Sequence, residues 1–168
     1  MIELIVGGAR SGKSRYAEDC ALKSSDSPIY IATAEPRDQE MADRIQEHQR
    51  RRGKQWRLIE EPFNLSTILS NISCDDSAVV DCLTLWLSNW LCLKDRQGWI
   101  DERQRFLSGL TRIQSSIWFV SNETGMGVIP TNPLSREFVD ESGKLHQDIA
   151  QRVDLVTHMF CGIPTRIK

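Results

Sequence analysis

Apolar residues along this chain fall into two alternating patterns. Five short runs, IELIV at 2–6, IYIAT at 29–33, AVVDC at 78–82, IWFVS at 117–121 and VDLVTHMFC at 153–161, lack strict in-and-out alternation and are expected to be strands buried on both faces. The stretch QWRLIE, ending at Glu60, also reads as a strand. Between these runs, apolar positions recur at helical spacing over roughly 14–23, 38–52, 64–70, 84–93, 101–114 and 134–152. Strand, helix, strand in repetition predicts an α/β fold, a mostly parallel sheet with helices on both faces. The loosest stretches are Ser24–Pro28, Lys94–Gly98 and Gly125–Pro133.

One helical stretch breaks its own pattern. In DRIQEHQRRRG, His48 stands seven residues after Met41 and three after Ile45, which puts an imidazole on the apolar face of the expected helix. A core histidine with a hydrogen-bond partner is one reading, and a reactive group facing a ligand is the other. Arg50, Arg51 and Arg52 follow, before Gly53. They read either as a solvated basic end that complements the helix dipole, with Gly53 as C-cap, or as cations that reach a bound anion.

Composition narrows the class of protein. The 168 residues suit a single domain spanning 1–168, and 40% hydrophobic with 26% charged residues indicates a globular chain. Basic and acidic residues nearly balance, 21 against 23, so nucleic acid is not an expected partner and any anion site must be local. Cys20, Cys74, Cys82, Cys92 and Cys161 are odd in number and contain no CxxC pair, which argues against a disulfide framework or zinc site and for the reducing cytoplasm. The apolar run before Gly7 is too brief for a signal peptide or a membrane span.

The strongest chemical signal is GGARSGKS at 7–14, a full GxxxxGK[ST] motif between an expected strand and an expected helix. Gly7, Gly8, Ala9, Arg10, Ser11 and Gly12 would wrap phosphate oxygens with main-chain N–H groups. Lys13 would reach the β- and γ-phosphates, and Ser14 would ligate Mg²⁺. Asp81, at the end of the AVVDC run, has the position of a carboxylate that faces Mg²⁺ or substrate in such folds, with a helix N-cap as its plainer reading. DxxG occurs at Asp95–Gly98 and Asp140–Gly143, but neither follows a convincing strand and no NKxD motif exists, so a switch GTPase is not expected.

Four blocks in order, GGARSGKS, YIATAEPRDQEMADRIQEHQ, AVVDCLTLW and VSNETGMGVIPTNPLSREF, resemble the bifunctional adenosylcobinamide kinase/adenosylcobinamide-phosphate guanylyltransferase family of cobalamin biosynthesis over nearly the full length. The P-loop is widespread, whereas the RIxxH and SNExGxG stretches are far more specific. The resemblance implies phosphorylation of the aminopropanol hydroxyl of adenosylcobinamide with ATP or GTP. Transfer of GMP from GTP onto that phosphate would follow, giving adenosylcobinamide-GDP and pyrophosphate. It implies that His48 carries a covalent guanylyl group, that Thr33, Glu60 and Asp81 lie against the nucleotide, and that the protein is a homo-oligomer, a trimer.

Other residues have plainer readings. His146 lies in a polar helix and His158 in the last strand, neither with ligand-like spacing, and the five tryptophans read as packing or subunit contacts rather than a cofactor box. Asn122, Glu123, Gly125 and Gly127 form either a simple strand-end loop or, since open α/β sheets bind ligands at strand C-termini, part of the corrinoid or nucleotide site. Val139, His146 and Thr124 depart from the family pattern, which bears on corrinoid recognition. Two other functions remain open from the sequence: a small-molecule P-loop kinase without nucleotidyl transfer, and a nucleotide-binding module without turnover.

Overall fold

In the computed structural model, residues 1–36, 39, 43, 46 and 53–168 are described. Their elements run β1 (Ile2–Gly7), α1 (Lys13–Ser24), β2 (Ile29–Ala32), β3 (Arg57–Glu60), α2 (Leu65–Ser70) and β4 (Ser77–Asp81). They continue with α3 (Leu83–Leu93), α4 (Arg96–Leu110), β5 (Ser116–Asn122), α5 (Pro133–Arg152), β6 (Leu155–Phe160) and β7 (Ile163–Arg166). All seven strands form one sheet in the order β3-β2-β4-β5-β1-β6-β7. The first six are mutually parallel, so their C-terminal ends share one edge, and β7 returns antiparallel to β6.

Alternate residues of the central strands feed two cores, as the period of two requires. Leu4, Ile31, Val80, Ile117 and Phe119 pack against α2 to α5 on one face. Ile5, Tyr30, Val79, Trp118 and Val120 pack against Ala17 and Ala21 of α1 on the other. Burial on both faces explains why these strands read as unbroken apolar runs. Four of the five tryptophans are core residues: Trp86 meets Trp99 and Phe106 at centroid distances of 5.0 Å, and Trp90 and Trp118 are buried.

One expected helix shifts its bounds, and one strand was not expected. The helix expected at 101–114 runs from Arg96 to Leu110. The Asp95 side chain caps it by accepting from Gly98 N–H at 2.9 Å, and Gly98, the end of a stretch expected to be loose, leaves space that the Trp90 ring occupies. The chance DxxG at 95–98 is thus a helix start. The final run at 153–161 holds β6 as expected, and a strand not expected follows it: a tight turn at Cys161–Gly162, with φ of 51° and 80°, leads into the antiparallel edge strand β7. Pro164 is tolerated there because an edge strand has one unpaired side. Of the helix expected at 38–52, Gln39, Asp43 and Gln46 are helical and exposed, with Gln39 Nε2 donating to Asp43 Oδ1 at 2.9 Å; His48 and Arg50 to Arg52 lie outside the described residues.

Candidate active site

The loop after β1 is shaped by close approaches. A Cβ on Gly7 would come within 2.4 Å of the Met159 carbonyl oxygen and 2.9 Å of Ser11 Oγ, so the strand pair β1–β6 admits only glycine there. Gly12, with φ of 96°, ends the loop as the N-cap of α1 and supplies no side-chain cap. The N-terminal amides of α1 are therefore not covered by a capping side chain and retain donors for an anion. The loop is braced from outside by the β6–β7 turn, where Gly162 N–H donates to the Ser11 carbonyl at 3.0 Å. That buttress was not anticipated, although the Cys161–Gly162 pair between apolar residues was its visible signal.

Lys13 is the first residue of α1 and only 6% exposed. Its Nζ donates to the Gly8 carbonyl at 2.6 Å, with Ser11 Oγ at 3.5 Å. The ammonium is thus held inside the loop that would enclose phosphates. Burial pulls its pKa below the ordinary lysine value, and the nearby Cys82 and Asp81 pull it back up. Ser14 is half-buried beside it, whereas Gly8, Ala9 and Arg10 are exposed at the loop's outer rim, with Arg10 at φ 57°.

Asp81 is the last residue of β4, and the cap of α3 is its neighbour Cys82. Asp81 Oδ2 accepts from Tyr30 OH at 2.6 Å, while Tyr30 is itself packed edge-on against Trp56 at 5.7 Å. The carboxylate is therefore oriented by a residue of the adjacent strand. Cys82 stays a thiol, pushed up to about 11 by burial and then by Asp81.

Thr33 is wholly buried. Its Oγ1 accepts from Cys82 N–H at 2.8 Å and donates to the Cys82 carbonyl at 2.8 Å, and Asn89 Nδ2 donates to the Thr33 carbonyl at 2.8 Å. The residue expected beside a nucleotide thus ties the ends of β2 and β4 together just below the edge. Glu60 is exposed at the end of β3, paired in register with Ala32. Four strand spacings separate β3 from β1, about 19 Å at the usual strand separation of about 4.8 Å. It stands at the far end of the same edge from the phosphate loop.

Between the P-loop strand and the Asp81 strand lies β5. Its last residue, Asn122, sits opposite Gly7 in register and places Nδ2 3.3 Å from Thr84 Oγ1. The next residue, Glu123, donates its N–H to the Gly7 carbonyl at 2.9 Å. Its carboxylate Oε1 accepts from Gly125 N–H at 2.5 Å. His146 of α5 reaches the same region, with Nε2 2.7 Å from Ser121 Oγ. Burial pulls its pKa down and Glu123 pulls it up.

Two cavities among the described residues lie on different sides of the molecule. The larger, about 820 Å³, lies between α2 and α4 and is lined by Cys74, Ile113 and Ser115, which precede β4 and β5; it therefore opens toward the N-terminal ends of the strands, away from the P-loop. A cleft of about 400 Å³ lies between α3 and α5, lined by Leu91, Thr124, Pro130, Leu134 and Phe138 among others. Open α/β sheets bind ligands at the C-terminal edge, so the P-loop edge and its neighbouring cleft form the candidate site.

A hard cation suits the oxygens there. Ser14 and Asp81 supply a hydroxyl and a carboxylate, a set that fits Mg²⁺ carried on a nucleotide's phosphates rather than a protein cage. The described residues contain no cluster of three or more His, Cys, Asp or Glu able to hold a metal alone. No helix among the described residues is long and apolar enough to cross a membrane.

Comparison with known proteins converges on one lineage. The chain is 48% identical over 169 residues to the bifunctional adenosylcobalamin biosynthesis protein CobP of Pseudomonas aeruginosa, covering all of this chain and 98% of that protein. It is 35% identical over 182 residues to the bifunctional adenosylcobalamin biosynthesis protein CobU of Salmonella typhimurium, covering both chains completely. Among solved structures, the RadB recombinase matches 94% of this chain and 73% of its own with a TM-score of 0.53 at 16% identity, a likeness of fold alone. The family model described as cobinamide kinase / cobinamide phosphate guanyltransferase matches residues 3–167, and with the assembled P-loop edge it shows that the chain belongs to that family.

Proposed function

We propose that the chain phosphorylates the aminopropanol hydroxyl of adenosylcobinamide with ATP or GTP, and then transfers GMP from GTP onto that phosphate to give adenosylcobinamide-GDP. The observation that carries this reading is Lys13: an ammonium buried inside a loop of the GxxxxGK[ST] type, in a chain matched by the family model over 3–167. On meeting a triphosphate, Lys13 exchanges the Gly8 carbonyl for phosphate oxygens, with no large movement of the helix that carries it. The α1 amides bind the same oxygens. Ser14 and Asp81 would hold Mg²⁺, which when bound offsets charge on the phosphates. Tyr30 keeps Asp81 in place through its hydroxyl.

The second reaction assigns His48 as nucleophile. Its imidazole attacks the α-phosphorus of GTP, pyrophosphate leaves, and the phosphoramidate then passes GMP to the corrinoid phosphate. Lys13 stabilises the departing pyrophosphate. Glu60 and Thr33 belong to the nucleotide end of this scheme by family pattern, Thr33 acting through the β2–β4 junction that it ties. The same reading makes the protein a cytoplasmic homo-oligomer, a trimer, with no nucleic-acid partner.

The test is incubation with Mg²⁺ and α-labelled GTP, followed by denaturation and assay for acid-labile, alkali-stable label, with His48→Asn in parallel. Label that is absent in His48→Asn and discharged by adenosylcobinamide phosphate is the expected result. Folded, GTP-binding parent protein that takes up no label, even with pyrophosphatase present, leaves a small-molecule kinase with a structural His48. Tight GTP binding with no transfer to any corrinoid leaves a binding module.

A further inference from the structure

The two proposed reactions differ in one proton. In the kinase step the acceptor is an alcohol: its O–H bond breaks, an O–P bond forms to the γ-phosphorus, and the bond from that phosphorus to the bridging oxygen breaks as the nucleoside diphosphate leaves. A group must accept the hydroxyl proton. In the transfer step the acceptor is already a phosphate, whose attacking oxygen carries no proton at neutral pH. A base is needed for one reaction and not for the other.

We propose, resting on the function above, that Glu123 is the catalytic base of the kinase step, accepting the hydroxyl proton of the acceptor. Strand order decides among the carboxylates of the C-terminal edge. With strands about 4.8 Å apart, Glu60 at the end of β3 is four spacings from the P-loop strand, and Glu35, beyond β2, follows a strand three spacings away. Asp81, two spacings away, already takes the Tyr30 hydroxyl and lies in the field of Lys13, the position of a metal partner. Glu123 follows the strand directly beside β1 and is pinned to the P-loop's first residue by its N–H on the Gly7 carbonyl.

The surroundings of Glu123 suit a base that meets a large acceptor. The side chain is half-buried, is steadied by the Gly125 N–H, and makes no ion pair among the described residues. A Cβ on Gly125 would approach Glu123 Oε1 to 3.2 Å, so that glycine leaves the carboxylate room. Thr124 next to it begins the cleft whose apolar wall is Leu91, Pro130, Leu134 and Phe138. An acceptor with its apolar body in that cleft presents its hydroxyl arm to the P-loop past Glu123.

Glu123→Gln and Glu123→Asp in the full chain test this, with three readouts: binding of a non-hydrolysable GTP analogue, phosphorylation of adenosylcobinamide, and guanylyl transfer to preformed adenosylcobinamide phosphate. Glu123→Gln is expected to lower the kcat of phosphorylation by about 10²- to 10⁴-fold, with analogue binding and guanylyl transfer within a few-fold of the parent. Glu123→Asp, which keeps a carboxylate, is expected to recover part of the kinase rate. Phosphorylation by Glu123→Gln within a few-fold of the parent overturns the assignment, as does an equal fall in both reactions with binding intact, which would mark a positioning role. A parent that binds GTP yet never phosphorylates adenosylcobinamide overturns the function itself and this assignment with it.

Discussion

Replacing Gly7 with alanine puts the shape of the P-loop to a direct test. The added Cβ would stand 2.4 Å from the Met159 carbonyl oxygen and 2.9 Å from Ser11 Oγ. An ordinary carbon–oxygen contact is about 3.3 Å, and the Met159 oxygen is main chain within the β1–β6 pair, so it cannot swing aside as a flexible side chain would. The strands must part by nearly 1 Å, an overpacking that costs about 1–3 kcal/mol. Weakening the Glu123 N–H bond to the Gly7 carbonyl, 2.9 Å long, adds about 1 kcal/mol.

At 2–4 °C per kcal/mol for a chain of this size, the expected fall in Tm is about 4–16 °C, with nucleotide affinity reduced at least tenfold because the first loop amides are displaced. Gly8→Ala is the control. Nothing lies within 4 Å of a Cβ there, and its Tm should stay within about 2 °C of the parent. The assays are thermal unfolding and titration with a fluorescent GTP analogue. A Gly7→Ala protein with the Tm and affinity of the parent, or a Gly8→Ala protein equally damaged, would refute the reasoning.

Two further outcomes follow from buried charge. Lys13→Met removes a cation whose burial disfavours its charged form, so it should abolish nucleotide binding while raising Tm by about 2–4 °C, the equivalent of about 1 kcal/mol; a lower Tm would show that the bond to Gly8 stabilises more than burial costs. His146 has a folded-state pKa held down by burial, so the unfolded chain binds the extra proton first as pH falls. Its contribution is complete above the unfolded value of about 6.5 and is lost below it, at no more than about 1.4 kcal/mol per pH unit. His146→Gln should flatten that part of the stability profile between pH 7 and 5, and denaturant midpoints of both proteins across this range would show it.

Local signals account for most of what was legible in the chain. Runs with both faces apolar marked β1, β2, β4 and β5 because each is covered by helices on both sides. GGARSGKS announced a phosphate loop because its conformation is set by residues adjacent in sequence. Asp81 stood out as an acid ending such a run, and the structure confirms that it closes β4 rather than capping α3. What failed were the boundaries where a distant contact wins. The stretch Lys94–Gly98 reads as loose, yet it opens α4, with the Trp90 ring in the space a side chain on Gly98 would take, and β7 goes unread because the turn at Cys161 and Gly162 that starts it is held by a distant residue, Ser11.

Periodicity and contiguous motif residues thus made most of the described elements, the parallel α/β class and the P-loop legible in the chain alone. The place of β5, which follows β4 in the chain yet is inserted between β4 and β1, emerges from the folded sheet. That insertion sets Glu123 beside Gly7 and leaves Glu60 four strands away, and the pairing of β2 with β4 makes Thr33 a tie between them. Strand order arises from how crossover helices pack onto a completed sheet, a property of residues far apart in the chain, so no local pattern could have reported which carboxylate would stand beside the P-loop strand.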